Sequence, residues 1–260
     1  MTMADPVRLE RDGAVAVLVL SDPPLNLFGA ATFDALASHV TEIAASDARA
    51  LVWRAEGEVF SGGVDVHTFD GIGVREAEHM FSALVSTVRK IEALPIPTLA
   101  LVHGLCLTAA WEVSLGCDLI WATESAKFGL VEAVVGLTPG AGGTQRMAER
   151  AGPGRAREFV MTGGLYDSPT LERWGVLNRV VGDDELVEKG MRFAQRLAAG
   201  PTKAHAATKR IVRAQVEGGV DKADRETPKV AGSLFGTEDL KAAVRSFLDE
   251  GPGNATFDGR

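Results

Sequence analysis

Three short, almost wholly apolar runs recur in the first part of this chain, with segments of helical periodicity between them. Val15–Leu20 (VAVLVL), Ala50–Ala55 (ALVWRA) and Thr98–Val102 (TLALV) have strand length, and the first is closed by the turn Ser21-Asp22-Pro23-Pro24. Between them, residues 30–45 set Phe33, Leu36, Val40 and Ile43 at helical spacing. Residues 75–93 set Met80, Leu84, Val88 and Ile91 on one helical face before Pro95 and Pro97 break the pattern. Strands without polar alternation need cover on both faces, so the order argues for an α/β fold with a mostly parallel sheet and crossover helices. Residues 118–122 and 126–129 read as further strands, with a short helix from Thr108 ahead of them.

From about residue 143 the pattern reads as wholly helical. Ser168-Pro169 reads as an N-cap followed by a first-turn proline, and Gly175 as the stop of that helix. Residues 183–199 form an amphipathic repeat ended by Gly200-Pro201, and helices over 201–216, 221–234 and 237–248 follow. The expected division is an α/β core over 1–198 and a C-terminal helical region over 199–260.

With 260 residues, 46% of them hydrophobic, the chain can enclose one large core. Its net charge of −8 argues against a general nucleic-acid binder, yet a few local cations or helix N termini could still hold a small anion. Cys106 and Cys117 lie in no metal-ligand spacing and imply no disulfide framework. With no apolar run long enough for a signal core or a membrane span, they predict a cytoplasmic protein with no membrane anchor.

Two glutamates stand out. Glu112 lies four residues after Thr108 in an apolar segment, one turn inside a helix whose first N–H groups lack partners. Glu132 lies ahead of the glycine-rich turn 138–143, and taken alone it reads as a surface residue. The upstream loop 56–66 (EGEVFSGGVDV) carries Gly62 and Gly63, which permit close backbone approach. Paired carboxylates beside unpartnered amides can move protons around an activated carbonyl. Other motifs fail: the glycine-rich turn lacks the lysine of a P-loop, neither Gly140-Ala141-Gly142 nor Gly71-Ile72-Gly73 completes a dinucleotide fingerprint, and there is no GxSxG or HExxH. The histidines have no ligand spacing. His103 reads as the end of a strand and His67 as a residue that could face a pocket, with Phe69, Met80 and Trp111 as candidates to shape it.

These segments resemble the enoyl-CoA hydratase/isomerase (crotonase) superfamily over nearly the whole chain. Residues 59–66 (VFSGGVDV) look like its F-S/C-A-G-x-D-L/I loop, 102–120 like its V-x-G-x-A-x-G-G-G-x-E-L…C-D stretch, and 128–146 like F-x-x-P-E…G-x-x-P-G-x-G-G-T-Q-R. Residues 173–181, 237–248 and the final Phe257-Asp258-Gly259-Arg260 resemble later segments. The resemblance implies a spiral of ββα units with a C-terminal helical trimerisation region. It implies an acyl-CoA thioester substrate, no metal or redox cofactor, and a homotrimer or dimer of trimers. It places Val64 and Ala109 N–H in an oxyanion hole, Glu112 and Glu132 as catalytic carboxylates, and Gly140 beside the reacting water. Ser61, Gly62, Gly63, Asp65, His67, Phe69 and Trp111 are expected around the substrate. The implied reaction is hydration of a 2-enoyl-CoA to a 3-hydroxyacyl-CoA. The alternatives are a Δ3-Δ2 isomerase working with Glu132 alone, or a weakly active acyl-CoA binder. Departures from the pattern are Thr108-Ala109-Ala110 in place of three glycines, Gly62 and Val64 in place of alanines, Val131 in place of proline, and Glu250 in place of a lysine.

Overall fold

All six residues of Val15–Leu20 are buried because the strand has neighbours on both edges and side chains packed on both faces. Ala16, Leu18 and Leu20 enter one core, and Val15, Val17 and Val19 enter a second on the opposite face, as the two-residue repeat of a strand requires. The computed structural model describes residues 5–260. Its elements run β1 (Val7–Asp12), β2 (Val15–Leu20), α1 (Ala30–Ala44), β3 (Ala50–Ala55), α2 (Val74–Ala93), β4 (Thr98–Val102), β5 (Leu105–Leu107), α3 (Thr108–Leu115), β6 (Leu119–Thr123) and β7 (Lys127–Gly129). They continue as α4 (Gly143–Ala151), α5 (Pro153–Thr162), β8 (Tyr166–Asp167), α6 (Ser168–Arg173), β9 (Arg179–Val181), α7 (Leu186–Ala198), α8 (Thr202–Ser233) and α9 (Glu238–Glu250).

The large sheet has the order β1-β2-β3-β4-β6-β9, parallel throughout except for the antiparallel β1-β2 hairpin. A small sheet, β5-β7-β8, stands beside it. Successive units therefore place one strand in the large sheet, one in the small sheet, and then a helix: β4-β5-α3 is followed by β6-β7 and α4. This is the ββα spiral. The loop after β3 joins the small sheet through a bridge from Ser61 to Cys106, and a second bridge, Phe28 to Val64, ties it to the segment ahead of α1. Helix α7 covers the second core with Leu186, Ala194 and Ala198.

Two expectations need correction, and one strand was not expected. Residues 7–12 form that edge strand, with Val7 buried and Leu9 packed on the core while Arg8 and Glu10 alternate to the other face. The chain after 143 is not wholly helical, since β8 and β9 lie within it and β9 completes the large sheet. They have two and three residues, too few to leave a periodic trace. The cap of α6 is Asp167, whose carboxylate accepts from Thr170 N at 3.0 Å, while the Ser168 hydroxyl donates to Thr123 O at 2.6 Å. The separate helices expected over 201–216 and 221–234 are present as the two arms of α8, which break apart where Gly218 and Gly219 leave helical geometry. Beyond α9 the tail folds back: Asp239 accepts from the amides of Asp258 and Gly259, and Arg49 donates to Phe257 O.

Candidate active site

Helix α3 starts where the chain leaves β5. Leu107 is still extended and Thr108 takes a left-handed φ of 44°, so the helix begins abruptly and no side chain caps its N terminus. Its eight residues are all buried, between the small sheet and α4. Glu112 is thus held inside the protein, 2% exposed. Its Oε1 accepts two backbone N–H groups of the glycine-rich turn, from Ala141 at 2.9 Å and Gly143 at 2.8 Å. Gly142, at φ 103°, supplies the left-handed residue that aims both amides at one oxygen. Burial pushes the Glu112 carboxyl up to about 7, against the pull of these N–H groups and of the Arg146 charge.

Glu132 opens a single 3-10 turn after β7. It is 8% exposed, and its Oε2 is buried without a partner among the described residues. Burial first, and the nearby Glu112 charge second, push this carboxyl up to about 7. The surface reading of Glu132 from its local sequence is therefore wrong. Ala133, Val134, Val135 and Gly136 are indeed exposed, and tertiary contacts alone turn the glutamate inward.

Both carboxylates line one cavity with about 20 Å³ of free space, enough for a single water. Val64, Ala109, Gly140 and Ala141 line it too, with apolar side chains from Phe69, Met80 and Phe81. The expected residues divide here. Val64, Ala109, Gly140, Phe69, Met80 and both glutamates meet at the cavity. Gly62 packs on Leu25 and Leu27, and Gly63 abuts Thr108. Ser61 is fully buried under the loop, donating to Asn26 O at 2.7 Å and accepting from Gly63 N at 3.0 Å, so it supports the loop from beneath. Asp65 caps the turn at 66–69 by accepting from His67 N. His67 is exposed and off the cavity wall, and Trp111 is wholly buried against Phe128 in the core. His103 ends β4 as expected, its Nε2 lying 3.0 Å from Gly57 O.

Three residues carry roles that the sequence did not disclose. The Thr108 hydroxyl accepts the Val64 N–H at 2.9 Å, so that amide is already engaged. Arg146, on α4, underlies the glycine-rich turn and donates to Gly142 O at 3.0 Å. Phe81 lies against Gly140, where a side chain would collide with its ring. A threonine at the start of a buried helix beside a glycine loop was the available signal for Thr108. Nothing local marked Phe81.

The site combines two carboxylates of raised pKa with backbone donors at a helix start, an arrangement suited to proton transfer next to a polarised carbonyl. Comparison with known proteins agrees with the fold. A model of the enoyl-CoA hydratase/isomerase family matches residues 10–258. The crotonyl-CoA hydratase of Syntrophomonas wolfei is 30% identical over 250 residues, covering 95% of this chain and 96% of that protein. The short-chain-enoyl-CoA hydratase of Clostridium acetobutylicum is 29% identical over 248 residues, 94% and 95% of the two chains. Among solved structures, enoyl-CoA hydratase subunit I of Geobacillus kaustophilus superposes with a TM-score of 0.91 at 30% identity, covering 98% of each chain. This chain belongs to the enoyl-CoA hydratase/isomerase family.

Proposed function

We propose that this protein is an enoyl-CoA hydratase that adds water across the C2=C3 bond of a 2-enoyl-CoA thioester to give a 3-hydroxyacyl-CoA. The observation that supports the reading is the shared cavity of Glu112 and Glu132, with Val64 and Ala109 among its lining residues. The Val64 and Ala109 amides receive the thioester oxygen and stabilise the charge that builds on it as C3 is attacked. A water between the carboxylates adds its oxygen to C3 while ionised Glu112 orients it and takes its proton. Protonated Glu132 delivers a proton to C2. The proton gained by Glu112 then returns to Glu132 through the next water, restoring the pair. Carboxyls held near 7 suit this cycle, because one can be protonated while its neighbour is ionised at neutral pH. The chemistry draws on groups of this chain alone, and coenzyme A enters as part of the substrate.

The assembly we propose is a homotrimer or a dimer of trimers. It is supported by exposed apolar side chains on and between the last helices, among them Val212, Val220, Phe235, Phe247 and Leu248. Among the described residues no helix is long and apolar enough to cross a membrane, and both cysteines are free and buried. A cytoplasmic location fits the latter. The test of function is loss of enoyl-thioester ultraviolet absorbance when the protein is added to crotonyl-CoA. Rapid loss, abolished in both Glu112→Gln and Glu132→Gln, is the expected result. Undiminished turnover in Glu132→Gln would refute the proton-transfer role.

A further inference from the structure

The loop beneath the substrate site has four successive amides with four different acceptors. Gly62 N donates to Leu25 O at 2.8 Å, Gly63 N to the Ser61 hydroxyl at 3.0 Å, and Asp65 N to Phe28 O at 3.0 Å. These three bonds tie the loop to its own scaffold. Val64 N instead donates across the cavity wall to the hydroxyl of Thr108, the first residue of α3. Thr108 stands next to Ala109, whose amide opens the same helix, and both Val64 and Ala109 face the cavity. The hydroxyl is pressed so close to Gly63 that a side chain on that glycine would collide with it. Thr108 also holds a left-handed φ, which is costly for a β-branched residue and rare outside functional sites.

We propose that the Thr108 hydroxyl is a resident occupant of the thioester-oxygen position: it satisfies the Val64 amide in the empty site and is displaced from it by the acyl carbonyl. This rests on reading the cavity as an acyl-CoA site. A neutral hydroxyl oxygen and a thioester oxygen accept the same N–H, so binding exchanges one hydrogen bond for another instead of adding one. The ground-state carbonyl gains little from that exchange. The oxygen that becomes negative during attack gains more, because hydrogen bonds to a charged acceptor are stronger. Thr108 thereby acts as a positioning residue that withholds Val64 from ground-state binding and leaves it available to the transition state.

Calorimetry with acetyl-CoA, which has the thioester carbonyl, and with free coenzyme A, which lacks it, tests this on the intact protein. Thr108→Ala should tighten acetyl-CoA binding about fivefold, the equivalent of one net hydrogen bond, and leave coenzyme A binding unchanged. Thr108→Ser, which keeps the hydroxyl, should restore the native ratio of the two affinities. An unchanged or lowered ratio in Thr108→Ala, or a Thr108→Ser protein that behaves like it, would overturn the proposal. In the native protein with isotopically labelled valine, the Val64 amide resonance should move with acetyl-CoA and hold still with coenzyme A. Equal movement with both ligands also overturns it. Tight acetyl-CoA binding without crotonyl-CoA turnover would sink the hydratase reading while leaving the exchange standing. Binding of neither ligand would sink both.

Discussion

The guanidinium of Arg146 grips the carboxylate of Glu92 with two hydrogen bonds, Nε to Oε1 at 2.6 Å and Nη2 to Oε2 at 2.7 Å. Its third nitrogen, Nη1, reaches Gly142 O at 3.0 Å. The pair links the last turn of α2 to the glycine-rich turn, and it lies behind the two amides that hold Glu112. Arg146 is buried and Glu92 half-buried, so the pair is only partly screened by solvent. One cation therefore both fixes the shape of the turn and supplies positive potential to the carboxylate beyond it.

Replacing Arg146 with Gln should leave Glu92 without its partner and cost about 1–2 kcal/mol of stability, because the half-buried carboxylate regains part of its hydration. The same change removes a charge that holds the Glu112 pKa down. The acidic limb of the kcat/KM profile should accordingly move to higher pH. Arg146→Lys keeps the charge but not the paired hydrogen bonds, so it should lose stability and leave the limb near its native position. Urea unfolding and pH–rate profiles of the two variants separate the effects.

The pair of raised carboxyls predicts two different pH responses. Hydration needs one carboxyl ionised and the other protonated, so kcat/KM should be bell-shaped around neutrality, with its limbs belonging to the pair rather than to either residue. Stability should run the other way from the usual acid loss. Each group rises from an ordinary 4.5 to about 7 on folding, so the folded state binds more protons between those values. The stabilising contribution is full below about 4.5 and is lost as pH climbs through 7, with an upper bound of about 3 kcal/mol per group. Glu132→Gln removes one such group and should be more stable than the native protein at pH 8, with the gap closing toward pH 5. Thermal melts at the two pH values check the sign.

The large-sheet strands at 15–20, 50–55 and 98–102 were legible in the sequence because a strand buried on both faces has no polar alternation to obscure it. Glu112 was legible for a related reason, since Trp111, Val113 and Leu115 left no solvated helix face for it. What was hidden depended on contacts between distant segments. Glu132 sits among exposed neighbours, so its burial comes from segments distant in sequence, α5 among them. Strand β9 has three residues and is defined by its partner β6. The engagement of Val64 by Thr108 joins positions 44 residues apart, through a hydroxyl whose direction no local pattern sets.

Gly143 should prove intolerant of any side chain. A Cβ there would lie 2.8 Å from Glu112 Cγ and 3.0 Å from Leu130 Cδ1, so the glutamate itself must give way. Gly143→Ala should therefore break the amide contacts that aim the carboxylate, lowering kcat on the order of 100-fold with little change in KM. The accompanying loss of stability should be about 1–3 kcal/mol, typical of overpacking. A fall in KM-governed affinity with kcat preserved would mean that the turn shapes binding rather than the aim of Glu112.

Acyl length is the remaining property that the walls should set, and Phe81 is the residue that should set it. Its ring lies on Gly140 at the end of the catalytic cavity. On its other side opens a trough of about 670 Å³ between α2 and α8, bordered by Ser82, Val85, Ser86, Arg89 and Arg213. Phe81 lines both spaces, so an acyl chain that runs from the cavity toward the trough meets this ring. Phe81→Ala removes the partition. 2-Octenoyl-CoA carries four more methylenes than crotonyl-CoA, each worth about 0.8 kcal/mol when buried. Its kcat/KM relative to crotonyl-CoA should then rise on the order of 100-fold in the variant. Crotonyl-CoA turnover by the variant is the reference for that ratio. If chain-length preference is the same in Phe81→Ala as in the native protein, the acyl group leaves the cavity by another path and the partition has no bearing on specificity.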